Sequence, residues 1–161
     1  MRVRFSVLAI IGVAALAAAT LRAQTPTQAP ATQTPATQPP AAGAAAGTTK
    51  DGVYTDDQAK RGETVYQSEC AACHGPELTG GEMAPPLTGA EFIANWNDMS
   101  VGDLFERIRV SMPANNPGAL SRQQNADVVS FLLKFDKYPA GQSELPPQTE
   151  PLKTIKIVPV Q

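Results

Sequence analysis

The chain has 161 residues, 42% hydrophobic, 17% charged and 6% aromatic, which suffices for one ordinary domain and excludes a large multidomain enzyme. Formal net charge is −2, yet between Asp51 and Tyr138 seven basic residues face thirteen acidic ones, so the middle lacks the basic footprint that nucleic acid requires. Such a balance favours a partner with a basic docking face, although plain solubility explains it as well.

The first 23 residues carry Arg2 and Arg4, an apolar run from Phe5 to Ala19, and then small residues. These are the three regions of a secretory signal peptide, with cleavage expected after Ala19 or Ala23. A retained membrane anchor is the alternative, and only then would the protein meet a membrane; the apolar run is marginally short for it. Residues 24–50 are rich in Ala, Thr, Pro and Gln, hold one charge and no aromatic side chain, and read as a disordered tether.

From 51 to 138 the pattern is helical. Thr55 with Gln58 opens a predicted helix through Ala59, Val65 and Tyr66 towards Cys70, and Ser100 with Asp103 opens another through Leu104, Phe105 and Ile108. Ser121 with Gln124 opens a third, which runs through Ala126, Val128, Val129, Leu132 and Leu133 to Pro139, and a shorter helix is expected over Ala90 to Trp96. With no run of strand-like alternation to rival these, the class is all-α with long loops. Gly62 inside the first helix costs about 1 kcal/mol against Ala, which suggests a close helix crossing. Residues 139–161 are Pro-rich, then alternate weakly through Leu152, Ile155, Ile157, Val158 and Val160. A loose tail is expected there, with a strand-like segment lying on the domain as the alternative.

The chemistry sits at Cys70-Ala71-Ala72-Cys73-His74. Cys-x-x-Cys-His is the attachment motif of haem c, in which two thiols bond one porphyrin and the adjoining imidazole ligates the iron. These are the only two cysteines and the only histidine in the chain. A thioredoxin-type dithiol is disfavoured because the motif follows a helix in a chain without strands, and zinc lacks a fourth soft ligand. A plain disulfide would leave His74 without a role. For the sixth iron position Met83, Met99, Met112, a lysine or no ligand remain open. Met112, 38 residues beyond His74 and just before Pro113, leaves room for the chain to go round the ring.

The ordered set Gly62-x-x-x-Tyr66-x-x-x-Cys70-x-x-Cys73-His74-Gly75, Pro85-Pro86-Leu87-x-Gly89, Phe92, Trp96, Leu104-Phe105-x-x-Ile108, Met112-Pro113 and Ala126 to Leu132 resembles the class I cytochromes c, in particular the small bacterial domains that serve periplasmic dehydrogenases. The resemblance covers most of Thr55 to Phe135. It implies a small cytochrome c fold, three main helices plus one or two short ones around one covalent haem c, with Met112 opposite His74 on the iron. It also implies that the carbonyl of Pro85 (or Pro86) accepts from the His74 ring, that Leu87 packs on the haem, and that Trp96 donates to a propionate. Gly62 and Tyr66 would form the face of the first helix that crosses the last near Phe131 and Leu132.

Two axial ligands leave no vacant position for substrate, so the expected role is electron transfer in the periplasm rather than catalysis. The expected partners are redox proteins: a periplasmic dehydrogenase as donor, and an oxidase or another cytochrome of a respiratory chain as acceptor. The alternatives are a haem-based gas sensor with a labile methionine, or a non-catalytic haem subunit of a dehydrogenase complex.

Overall fold

The computed structural model describes residues 47–160. The expected signal peptide (1–23) and the tether up to residue 46 lie outside the described residues. Eight elements follow in order: β1 (Gly47–Thr48), α1 (Asp56–Glu69), α2 (Ala71–His74), α3 (Gly89–Trp96), α4 (Val101–Ser111), α5 (Arg122–Phe135), α6 (Thr149–Leu152) and β2 (Ile155–Lys156). The arrangement is all-α, with two two-residue strands as the only sheet among the described residues. None of the helices among the described residues is long and apolar enough to cross a membrane.

Local chemistry starts each main helix. The hydroxyls of Thr55, Ser100 and Ser121 accept from the third backbone N–H beyond them, a cap that contributes about 0.5–2 kcal/mol each. Ser100/Asp103 and Ser121/Gln124 form the complete reciprocal box. At α1 only the Thr55 half forms, because the Gln58 amide is engaged elsewhere: its Nε2 donates to the Leu145 carbonyl (3.0 Å) and its Oε1 accepts from Leu145 N–H (2.8 Å).

Helices α1 and α5 cross at Gly62, where a β-carbon would lie 1.8 Å from the Asp127 carbonyl oxygen and 3.0 Å from Phe131 Cβ. The missing side chain is what allows this approach. One turn on, the Tyr66 and Phe131 rings pack with centroids 5.2 Å apart. Arg61 of α1 adds a two-pronged bond to Asp127 on α5, both contacts at 3.1 Å, and reaches Glu144 at 2.8 Å.

The expectation of a loose C-terminal tail is corrected by the structure. Residues 139–160 wrap the domain as a strap, with Leu145, Leu152, Ile155 and Ile157 all buried, each contributing about 1.5–3 kcal/mol. Its backbone is tied at several points: Gly141 N–H donates to Tyr54 O, Tyr138 Oη donates to Val158 O, and β2 pairs in parallel with β1 in the register Gly47 to Ile155. Thus the last four residues of the expected tether also belong to the fold. The strap braces α4. Gly102 meets the Leu152–Lys153 backbone so closely that a β-carbon there would lie 2.8 Å from Lys153 N. Ile157 exchanges backbone hydrogen bonds with Asp98 and Met99, both 2.9 Å.

Glu106 on α4 ties the strap to the helix by a hydrogen bond from Thr149, and its charge is held by Arg109 of the same helix. Arg109 donates to it through Nε and Nη2 (2.7–3.0 Å), and Thr149 Oγ1 of α6 donates to the same carboxylate. These donors, Arg109 first, pull the Glu106 carboxyl from its ordinary 4.5 down to about 2. A depressed carboxyl stabilises the fold above its unfolded value and loses that contribution as pH falls through its folded value. Wild-type protein should therefore melt above Glu106→Gln from neutral pH down to about 4.5, with the difference in midpoint closing between about 4.5 and about 2. Thermal melts across that series check it; a gap that persists at pH 2 would remove Glu106 as its source.

Candidate haem site

Cys70 ends α1, with its N–H donating to Tyr66 O at 2.9 Å, and Cys73 and His74 follow on the single turn α2. Their N–H groups both donate to the Cys70 carbonyl, at 3.1 and 3.0 Å, so the two sulfurs stand one turn apart. Both cysteines are free thiols. Burial, then the charges of Glu69 and Cys73, push the Cys70 thiol up to about 11. A nucleophilic redox dithiol needs the opposite, a thiol lowered towards neutrality.

His74 is buried, and its Nδ1 lies 2.9 Å from the Pro85 carbonyl oxygen. A carbonyl can only accept, so Nδ1 carries the proton and donates, which leaves Nε2 of the neutral ring with its lone pair free for a metal. The loop between α2 and α3 is folded to make that contact. Gly80 N–H donates to His74 O (2.9 Å), Leu87 N–H to Leu78 O (2.8 Å), and Gly81 N–H to Ala84 O (2.9 Å), while Tyr66 Oη donates to Gly75 O at 2.7 Å. Leu78, wholly buried at the loop's root, anchors it to the core. Sequence reasoning missed Leu78 and the hydroxyl role of Tyr66. An apolar residue inside a Gly/Pro-rich loop was the available signal for the first.

The remaining site residues separate by exposure. Leu87 and Trp96 are partly buried against the core; Trp96 closes α3, its ring 6.4 Å from Phe92, and its indole N–H has no hydrogen-bond partner among the described residues. Of the three methionines weighed for the iron, Met83 is 82% exposed and Met99 41% exposed, whereas Met112 is partly buried on the core. Met112 caps α4 in extended conformation (φ −122°, ψ 152°), with its N–H on Ile108 O and its carbonyl accepting from Gly118 N–H. The start of α3 is set by a residue no sequence pattern suggested: Asp136 accepts from Thr88 Oγ1 (2.5 Å) and Gly89 N–H (2.9 Å), 47 positions away from the latter.

A covalent haem fits these residues. Two unpaired thiols sit one turn apart, a buried imidazole keeps a lone pair, and Val65, Ala71, Leu87, Ile93, Trp96 and Met112 retain apolar surface only partly covered by protein. Burying such surface is favourable, and a macrocycle would do so.

Residues 57–132 match the family model described as cytochrome C oxidase, cbb3-type, subunit III. That stretch contains Cys70, Cys73, His74, Pro85, Leu87, Trp96 and Met112. Among solved structures, the sulfane dehydrogenase SoxCD from Paracoccus pantotrophus is similar at 18% identity and a TM-score of 0.44, over 66% of this chain and 60% of that one. The chain thus spans less than two thirds of that structure's chain. No curated protein matches. The attachment motif, the oriented imidazole and the family match on one stretch of sequence support a class I monohaem c-type cytochrome domain over residues 57–132, whose motif implies one covalently bound haem c.

Proposed function

We propose that this cytochrome is exported to the periplasm and carries single electrons from a dehydrogenase to a respiratory acceptor. The haem supplies a one-electron couple at iron. The protein's own residues decide what that couple does. Cys70 and Cys73 would hold the macrocycle through thioethers, His74 would offer Nε2 to the iron, and Met112 would offer its sulfur as the second protein ligand. Pro85 keeps the imidazole in one tautomer and raises its basicity through the 2.9 Å hydrogen bond, and this contact is the observation that carries the reading. Leu87 and Trp96 cover the ring, and the free indole N–H of Trp96 is available to a propionate. A thioether opposite imidazole, in a site lined by apolar side chains, favours the ferrous state and raises the potential. With His74 and Met112 both on the iron, substrate would have no place on it, and the residues would suit electron transfer rather than bond-making.

Expression of the whole chain in a host with haem c maturation machinery tests this. Mature protein from the periplasm should have lost its leader, weigh one haem more than its polypeptide, and give a low-spin c-type spectrum on reduction. Colourless protein of polypeptide mass would overturn the assignment, and tight carbon monoxide binding by the native ferrous form would overturn the filled sixth position.

A further inference from the structure

The loop that orients His74 also forms an open depression on the surface. Thr79, Glu82, Met83, Pro85, Pro86 and Glu91 line it, with a volume of about 590 Å³. Three observations make it more than a dent. Pro85 belongs to both places: it lines the depression, and its carbonyl is the one that accepts from His74 Nδ1. Met83 stands at the rim 82% exposed and adds an apolar side chain to the edge of the depression. Glu82 and Glu91 are exposed and have no hydrogen-bond or ion-pair partner among the described residues.

The charge around it is one-sided. From residue 62 to residue 106 the chain holds eight acidic residues and not one Lys or Arg. Four cations of the domain are engaged by other carboxylates: Arg61 by Asp127 and Glu144, Arg109 by Glu106, Lys134 by Asp56 and Lys153 by Glu150. The depression therefore offers two uncompensated carboxylates and an apolar methionine next to a peptide group one hydrogen bond from the iron's imidazole.

We infer that this depression is the docking site of the electron donor, a redox protein that inserts a Lys or Arg side chain between Glu82 and Glu91 and covers Met83 with an apolar patch. This inference rests on the electron-carrier reading above and names its partner's surface. The donor loses one electron, the ferric haem gains it to become ferrous, and no proton or bond is exchanged. The contact is small and polar at its rim, as suits a complex that must form and dissociate at every turnover. Long-range attraction between the acidic face and a basic partner sets the encounter rate.

The test follows reduction of the ferric holoprotein by stopped flow, with a reduced basic blue-copper protein and a reduced acidic one as probes. Glu82→Gln/Glu91→Gln should slow reduction by the basic probe about five- to tenfold at roughly 0.01 M salt, where charges act over about 30 Å. The loss should shrink below about twofold near 1 M salt, where that range is about 3 Å. With the acidic probe the same variant should be as fast as wild type or faster. Glu63→Gln, which removes an exposed carboxylate of α1 outside the depression, should change the basic-probe rate by less than about twofold. An unchanged rate in the double variant, or an equal loss in Glu63→Gln, would overturn the docking site. Spectrum and potential of each variant are read alongside: wild-type protein with no haem spectrum defeats the electron-carrier reading, whereas normal spectrum and potential with no charge effect defeats only the docking site.

Discussion

Met112→Ala is expected to give a folded protein that still binds haem covalently, yet has lost its low-spin signature, binds carbon monoxide, and is reduced at lower potential. Loss of the thioether should lower the potential by something on the order of 0.1 V, a modest part of the ~0.8 V range that axial ligands span. Folding should survive because Met112 is only partly buried and its backbone contacts, N–H to Ile108 O and O to Gly118 N–H, do not involve the side chain. The controls are Met83→Ala and Met99→Ala. Both side chains are substantially exposed, at 82% and 41%, and neither substitution should move spectrum or potential. A visible spectrum and a redox titration of the three variants decide it. An unchanged potential in Met112→Ala would pass the sixth ligand to another residue.

The second large effect is on stability. Gly62→Ala places a β-carbon 1.8 Å from the Asp127 carbonyl oxygen and 2.4 Å from its carbon, distances no packed pair sustains. Neither atom can rotate away, since both belong to the backbone of α5. The helices must separate, which opens the Tyr66–Phe131 ring contact at 5.2 Å and stretches Arg61 from Asp127. We expect a loss of about 3 kcal/mol or more, at the upper end of overpacking, and a fall in melting midpoint of roughly 10 °C. Gly81→Ala is the control: its β-carbon would have no neighbour nearer than 4.0 Å, so the change should stay below about 1 kcal/mol. Denaturant unfolding of the two holoproteins checks both. If Gly62→Ala unfolds within 1 kcal/mol of wild type, the crossing is looser than described.

Most of the helices, and the place where the haem attaches, could be read from residue order because their causes are local. A capping serine lies three residues from its target, apolar side chains recur every turn, and two thiols three apart share a helix face whatever surrounds them. The same locality explains the partial failure at α1, where Thr55 caps as expected while Gln58, the other half of the expected box, bonds Leu145, 87 positions away. Gly62 is intermediate: its residue type announced a close approach, and the resemblance named the partner helix.

What the sequence by itself determined was the chemistry and the class: an attachment motif that uses every cysteine and histidine in the chain, in a domain of helices with good caps. Tertiary structure alone decided how the ends are used and which groups are oriented. The strap over residues 139–160 holds through bonds such as Leu145 to Gln58, Tyr138 to Val158 and Ile155 beside Gly47, contacts that no window of neighbouring residues contains. The resemblance offered Pro85 or Pro86 for the His74 ring and Met112 for the iron; only the folded loop puts the Pro85 carbonyl, eleven positions from His74, on the ring nitrogen, and exposure sets Met83 and Met99 apart from the partly buried Met112. The physical reason is common to both. Helix signals are repeated within each turn, whereas a long-range contact depends on where the whole chain has placed two groups that are individually unremarked.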